Sequence, residues 1–405
     1  TLSKIGSVQV LTAIQGLLFT FLATRLLSPQ MFGELRYVLV LLPFLMIATL
    51  PTFDILVLRE AASGSKVNLQ NIVKKRGQFG FFGALFFSFI LFFTKDNFTS
   101  EVFQSLCIVL LILPFYETTT TFRNFLVGKG LRDRALTIQI RNKILSIILI
   151  ILGVFIYMQL APSVAGFLLI FLVCTTLPNI ITNFGLKLRE VSRESKYLKT
   201  SDSLIKEAVF TSLVSVIWMA SYSFDRLIIE RQLGVESLAF YSILVMIPLM
   251  IAQLVDALIM LYYKKIFLSK VSIFTIKNIV FMIFLFSVVI VAYGNFVHIF
   301  YPFVFGDFYT YPLPLALLSG ILIFTGSIEL LLIQYLYKQK KPGLIMGYNC
   351  SSFVFLFVTL TIIVKDLDIY SIILVLGIKQ FFLPIIILKY DKLFQNHPHQ
   401  SGEID

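Results

Sequence analysis

Charged residues are scarce in this chain. They make up 14% of its 405 positions, whereas soluble globular proteins carry roughly 25%. With 58% hydrophobic residues, there is too little polar side chain to cover a water-soluble fold. Histidine and cysteine number three each. Cys107, Cys174 and Cys350 lie far apart, each inside an apolar run, which excludes a disulfide framework and leaves no metal-ligand spacing. There is no glycine-rich phosphate loop, no Ser-His-Asp constellation and no Cys-His pair. Nothing points to an ATPase or a hydrolase, and the chain reads as a non-enzyme with no cofactor and no metal. The alternating segments of about ten residues that mark a membrane barrel are missing as well.

What the chain has instead is long apolar runs. A helix that crosses a bilayer needs about 20 mostly apolar residues. That rule places twelve spans, at 5–24, 37–57, 77–94, 102–122, 143–160, 163–185, 208–228, 238–261, 278–300, 312–337, 343–364 and 369–388. The first is preceded only by Lys4 and has no small-residue cleavage site, so it is expected to be retained. The expected fold is an all-α integral membrane protein. The longest polar stretch, 187–206, divides it into a six-helix lobe at 1–186, a linker, a second six-helix lobe at 207–388 and a tail at 389–405.

Lysine and arginine are distributed unevenly. With the N-terminus inside, only Arg25, Arg36, Lys95, Arg226, Arg231 and Lys365 fall in outer segments, and Lys379 lies within the last span. Every other basic residue is on the inner side. The positive-inside rule then predicts that both termini are cytoplasmic, and it accounts for most of the net charge of +12 without a nucleic-acid partner. Prolines 43, 51, 114, 178, 248 and 384 lie within spans, where each frees a carbonyl and bends its helix.

One stretch occurs twice. Arg25 to Gly33 (RLLSPQMFG) lines up with Arg231 to Ala239 (RQLGVESLA), each between two apolar helices and each followed by a proline, Pro43 or Pro248. A half-molecule used twice is a common build of transporters. The first copy is read as a helix that breaks at Ser28-Pro29, turns through Phe32-Gly33 and resumes at Tyr37.

These motifs carry a resemblance. Leu2 to Ser7 (LSKIGS) with Ala23 to Glu34 (ATRLLSPQMFGE), Ser223 to Gly234 (SFDRLIIERQLG) with Glu236 to Ser242 (ESLAFYS), and Val304 to Tyr309 (VFGDFY) resemble the polysaccharide (O-antigen type) flippases. Those belong to the multidrug/oligosaccharidyl-lipid/polysaccharide exporter superfamily. Thr24, Ser28 and Ala239 depart from the family pattern, as does Lys338 to Pro342 (KQKKP) at a cytoplasmic turn. The resemblance implies two six-helix lobes meeting in a V around a cavity that opens alternately to either side. The implied cargo is an undecaprenyl-pyrophosphate-linked oligosaccharide, moved from the inner to the outer leaflet of the bacterial inner membrane. Coupling to H+ or Na+, contact with membrane lipids and delivery to polysaccharide polymerase machinery would follow.

Charges inside spans are costly and mark functional candidates. For the pyrophosphate and sugar these are Arg25, at the end of the first span, and Lys379, deep in the last, with Arg59, Arg123 and Arg141 at the inner mouth. Snorkelling explains Arg25 equally well, an ion pair with an acid on another helix is the alternative for Lys379, and the topology signal accounts for most of the inner arginines. Candidates for ion coupling are Asp54, Glu117, Asp256 and Glu329, because desolvation raises a carboxyl pKa into a useful range; a helix-packing hydrogen bond or a pairing with Lys379 explains each as readily. Asn295, His298 and Tyr301 line one helix face, with His298 open to pH sensing or simple interfacial bonding. Gly343 and Gly347 read as a close-packing pair. Two further functions share these features. A drug or small-cation antiporter of the same superfamily needs an acidic cavity, and an O-antigen polymerase or ligase usually has one long outer loop.

Overall fold

The computed structural model of the protein describes residues 2–63, 69–116, 118–159, 162–189, 202–261, 276–338, 342–363 and 367–395. Much of the expected linker and tail, and Glu117, fall outside these residues. Every regular element among the described residues is helical. In order they are α1 (Leu2–Leu26), α2 (Pro29–Met46), α3 (Phe53–Ala62), α4 (Leu69–Phe93), α5 (Ser100–Tyr116), α6 (Thr121–Gly128), α7 (Arg132–Tyr157), α8 (Val164–Arg189), α9 (Asp202–Leu233), α10 (Val235–Leu261), α11 (Ile276–Phe305), α12 (Leu313–Lys338), α13 (Pro342–Val358) and α14 (Ile369–Gln395). Among the described residues, twelve stretches are long and apolar enough to cross a membrane, the number and order expected. The chain is a multi-pass helical membrane protein.

The third and fifth spans begin well before the expected 77 and 143, at Leu69 and Arg132, and the second and fourth are interrupted. The second begins at Pro29, not Tyr37, because Ser28 is a helix cap: its Oγ accepts from the Met31 amide at 3.2 Å and Pro29 occupies the first turn, where a missing N–H costs nothing. Phe32-Gly33 is therefore helical, and the turn is confined to Leu27-Ser28. This helix also stops early. A short 3-10 turn at Ile47–Thr49 leads to Leu50, in the left-handed region at φ 50°, and then Pro51, so α3 starts afresh at Phe53. The fourth span breaks in the same way, at the 3-10 turn Thr118–Thr120. There the Thr118 hydroxyl donates to the Pro114 carbonyl at 2.7 Å, supplying a partner where the helix is interrupted.

The chain separates into two compact units. The first comprises Thr1–Met219, Ile229–Ser242 and Val304–Phe308. Within it α7 packs on α1 and α8, α5 on α4 and α8, and α3 on α6. Leu50, Phe53, Leu56, Val57, Ile72 and Ala208 form one buried apolar cluster. In lipid the hydrophobic effect does not drive helices together, so close packing through small residues matters more. Gly33 shows this: a Cβ built there would lie 1.9 Å from the Val235 carbonyl oxygen. The second unit comprises Ala220–Ile228, Ile243–Phe303 and Tyr309–Asp405, with α12, α13 and α14 packed together. Gly347 does not close-pack, since a Cβ there would meet nothing within 4 Å.

Candidate functional site

Parts of all three motifs, Ala23–Glu34, Ile229–Ser242 and Val304–Phe308, come together in the first unit. Arg25 Nε donates to the Val304 carbonyl at 3.0 Å, α2 meets α10 at Gly33 and Val235, and the rings of Phe240 and Phe308 are 6.4 Å apart, edge to face. The two copies of the repeat break at matching positions. Leu27-Ser28 separates α1 from α2, and the single residue Gly234, at φ 85°, separates α9 from α10. Only glycine adopts that conformation without strain. Arg25 itself is exposed and bonded to backbone.

Each unit also holds a buried ion pair. In the first, the guanidinium of Arg76 on α4 is fully buried. Its Nη1 donates to Asp54 Oδ1 at 2.7 Å and to Thr121 Oγ1 at 2.6 Å, and its Nε to the Thr49 carbonyl at 3.0 Å. The helix breaks create this site. The interrupted end of α2 leaves the Thr49 carbonyl available, the restart of α3 places Asp54 in its first turn, and the restart of α6 supplies Thr121. Alongside, Thr52 Oγ1 donates to the Ala208 carbonyl at 2.9 Å and lies 2.7 Å from Ser212 Oγ, tying α3 to α9.

In the second unit Lys379 on α14 and Glu329 on α12 are 4% and 2% exposed, and Lys379 Nζ sits 3.0 Å from Glu329 Oε1. The Tyr348 hydroxyl on α13 donates to the same carboxylate oxygen. The ring of Tyr222 on α9 lies 5.5 Å from the ammonium, within cation–π range. Beside them Thr325 Oγ1 donates to Gln380 Oε1 at 2.8 Å.

The remaining candidates have their own partners. Arg59 makes a two-point contact with Glu207, at 2.7 and 2.9 Å, on the exposed surface, and this hydrogen bonding raises its pKa above the ordinary arginine range. Arg123 meets the Gln139 amide, whose oxygen, turned toward it, accepts from Nε at 3.2 Å and Nη1 at 2.9 Å. Arg141 Nη2 donates to Thr182 Oγ1 at 2.9 Å. His298 Nδ1 lies 2.8 Å from the Tyr311 carbonyl. Asp256 lies on α10, with its side chain outside the described residues.

Sequence reasoning missed a polar seam between α7 and α8. The Thr182 hydroxyl lies 2.9 Å from Asn142 Oδ1, and Asn142 Nδ2 donates to Asn179 Oδ1 at 3.0 Å. Next to it Lys143 Nζ donates to the buried Gln15 Oε1 at 2.7 Å. Asn179, Thr182 and Asn183 recur at helical spacing inside an apolar run, a signal that was present. For Tyr222 and Tyr348 there was none, because a tyrosine in an apolar helix reads as packing.

No protein-family model matches the sequence, and no curated protein does. Solved structures match its fold. A multidrug resistance MATE family transporter of the MOP superfamily is similar in its inward-facing conformation, with TM-score 0.62, 14% identity and 96% and 94% of the two chains covered. The outward-facing conformation gives 0.60 and 13%, with 98% and 96% covered. A MOP superfamily transporter from Pyrococcus furiosus, described as having a binding pocket of reverse polarity that suggests a different function, gives 0.58 and 13%, with 98% and 94% covered. At these identities the likeness establishes a shared fold, that of the MATE and MOP transporters.

Proposed function

We propose that this chain is a carrier that moves an undecaprenyl-pyrophosphate-linked oligosaccharide from the cytoplasmic to the outer leaflet of a bacterial inner membrane, by alternating access coupled to H+ or Na+. The observation that carries the reading is the state of the acids. Asp54 and Glu329, the two candidate carboxylates whose side chains are described, are each matched by a buried cation, Arg76 and Lys379. A cationic drug needs an acid with charge to spare, and neither of these has it.

Arg141 supplies the complementary feature. It is exposed and hydrogen-bonded to a hydroxyl, and no carboxylate faces it among the described residues. Thr137, Arg141, Ile144, Ile148, Ile151 and Phe155 form one exposed face of α7, so a permanent cation heads an apolar stripe. That order suits a diphosphate joined to a long hydrocarbon tail, since planar guanidinium matches phosphate geometry. The MOP transporter from Pyrococcus furiosus, whose reverse-polarity pocket suggests a different function, is a precedent for changed pocket polarity on this fold. The drug-antiporter reading is favoured by a different observation: the similar structures include multidrug transporters.

One experiment separates the two. The chain is expressed in a bacterium lacking its own oligosaccharide flippase, and surface polymer and cationic-dye efflux are both measured. Surface polymer without efflux is expected; efflux without polymer selects the antiporter. Arg141→Gln should insert normally yet weaken apparent affinity for the cargo by roughly 10–100-fold, the worth of a charge-assisted contact.

A further inference from the structure

We propose that Lys379 is a tethered cation, whose ammonium occupies a site in the second unit that would otherwise bind a free monovalent cation. The donors around it are those of such a site. Glu329 Oε1 lies 3.0 Å from Nζ and also accepts from the Tyr348 hydroxyl. The Tyr222 ring presents its π system at 5.5 Å. Ser352, one turn beyond Tyr348 on the same face of α13, is fully buried. Carboxylate and hydroxyl oxygens are hard ligands suited to Na+ or K+, and here a compact ammonium point charge stands beside the carboxylate.

A lysine in this position has a physical advantage over a free ion. A buried carboxylate without a counter-charge is strongly destabilised, which favours a cation beside it. The tethered ammonium is already confined beside Glu329, whereas a free ion must lose translational freedom to bind. Glu329 therefore takes no Na+ or K+ while Lys379 is present, and any coupling ion acts at another carboxylate. The inference goes beyond the cargo reading and does not depend on it.

The test is a melting experiment on the purified full chain, with no substrate added. Wild type, Lys379→Met and Lys379→Met/Glu329→Gln are heated in NaCl, KCl or choline chloride at one fixed pH. Wild type should melt at the same temperature in all three salts. Lys379→Met should melt lower in choline and recover by about 2 °C or more in NaCl or KCl, and the double variant should lose that response. A salt-specific rise in wild type that Glu329→Gln abolishes would overturn the proposal, as would a Lys379→Met protein indifferent to the cation. If Lys379→Met cannot be purified from choline buffers, recovery of folded protein by extraction in NaCl or KCl supports the proposal, and failure in every salt counts against it. Because no transport is measured, failure here and failure of the flippase reading remain distinguishable.

Discussion

Arg76 carries a permanent positive charge with no exposure to solvent. Asp54, Thr121 and the Thr49 carbonyl replace the water at Nε and Nη1, while Nη2 is buried without a hydrogen bond. Breaking a buried pair from one side costs about 3–5 kcal/mol, whereas replacing both partners with apolar residues is often neutral. Arg76→Met should accordingly lower the melting temperature sharply in detergent, and Arg76→Met/Asp54→Leu should recover most of the loss. A double variant as unstable as the single one would show that Arg76 is held by its neutral partners instead. Asp54, Glu329 and Lys379 were legible in the sequence as costly residues in apolar runs, whereas Arg76, just before the expected third span, read only as part of the inner-side charge bias. The pairing was not legible, since Glu329 and Lys379 lie on α12 and α14, and nothing local in either helix names the other.

Helix ends were harder to place than helices. The run from Tyr37 to Val57 is apolar throughout, so composition reads it as one span, while Leu50 and Pro51 divide it. Serine before proline, by contrast, was a readable start signal whose consequence was underestimated: the helix begins at once. The repeat was legible because both copies of the break obey the same local chemistry, a small residue between two helices. That the copies touch was decided by packing. Gly33→Leu should abolish the contact of α2 with the Val235 backbone, seen as lost folded yield. Gly234→Ala should cost about 1–2 kcal/mol, the penalty for a side chain in left-handed backbone, read as a lower melting temperature. A neutral Gly33→Leu would mean that α2 and α10 separate easily.

Across the whole molecule, the bias of lysine and arginine predicts both ends of the chain on the cytoplasmic side. Reporters that fluoresce only in the cytoplasm should be active when fused at either end, and periplasm-specific reporters silent; the opposite pattern would invert the assignment of every loop. Arg59 and Glu207 illustrate why surface pairs say little about stability. Their contact is exposed, and such pairs are screened by salt and contribute little.

The sequence by itself determined the solvent, the number of crossings and the doubled plan. A bilayer accepts only helices of sufficient apolar length, and that requirement is written into composition. Tertiary structure alone decided which buried charges neutralise each other and which helices bend to let them meet. Such pairing depends on a few ångströms between side chains brought together from distant parts of the chain, and the periodicity of a single helix does not encode that.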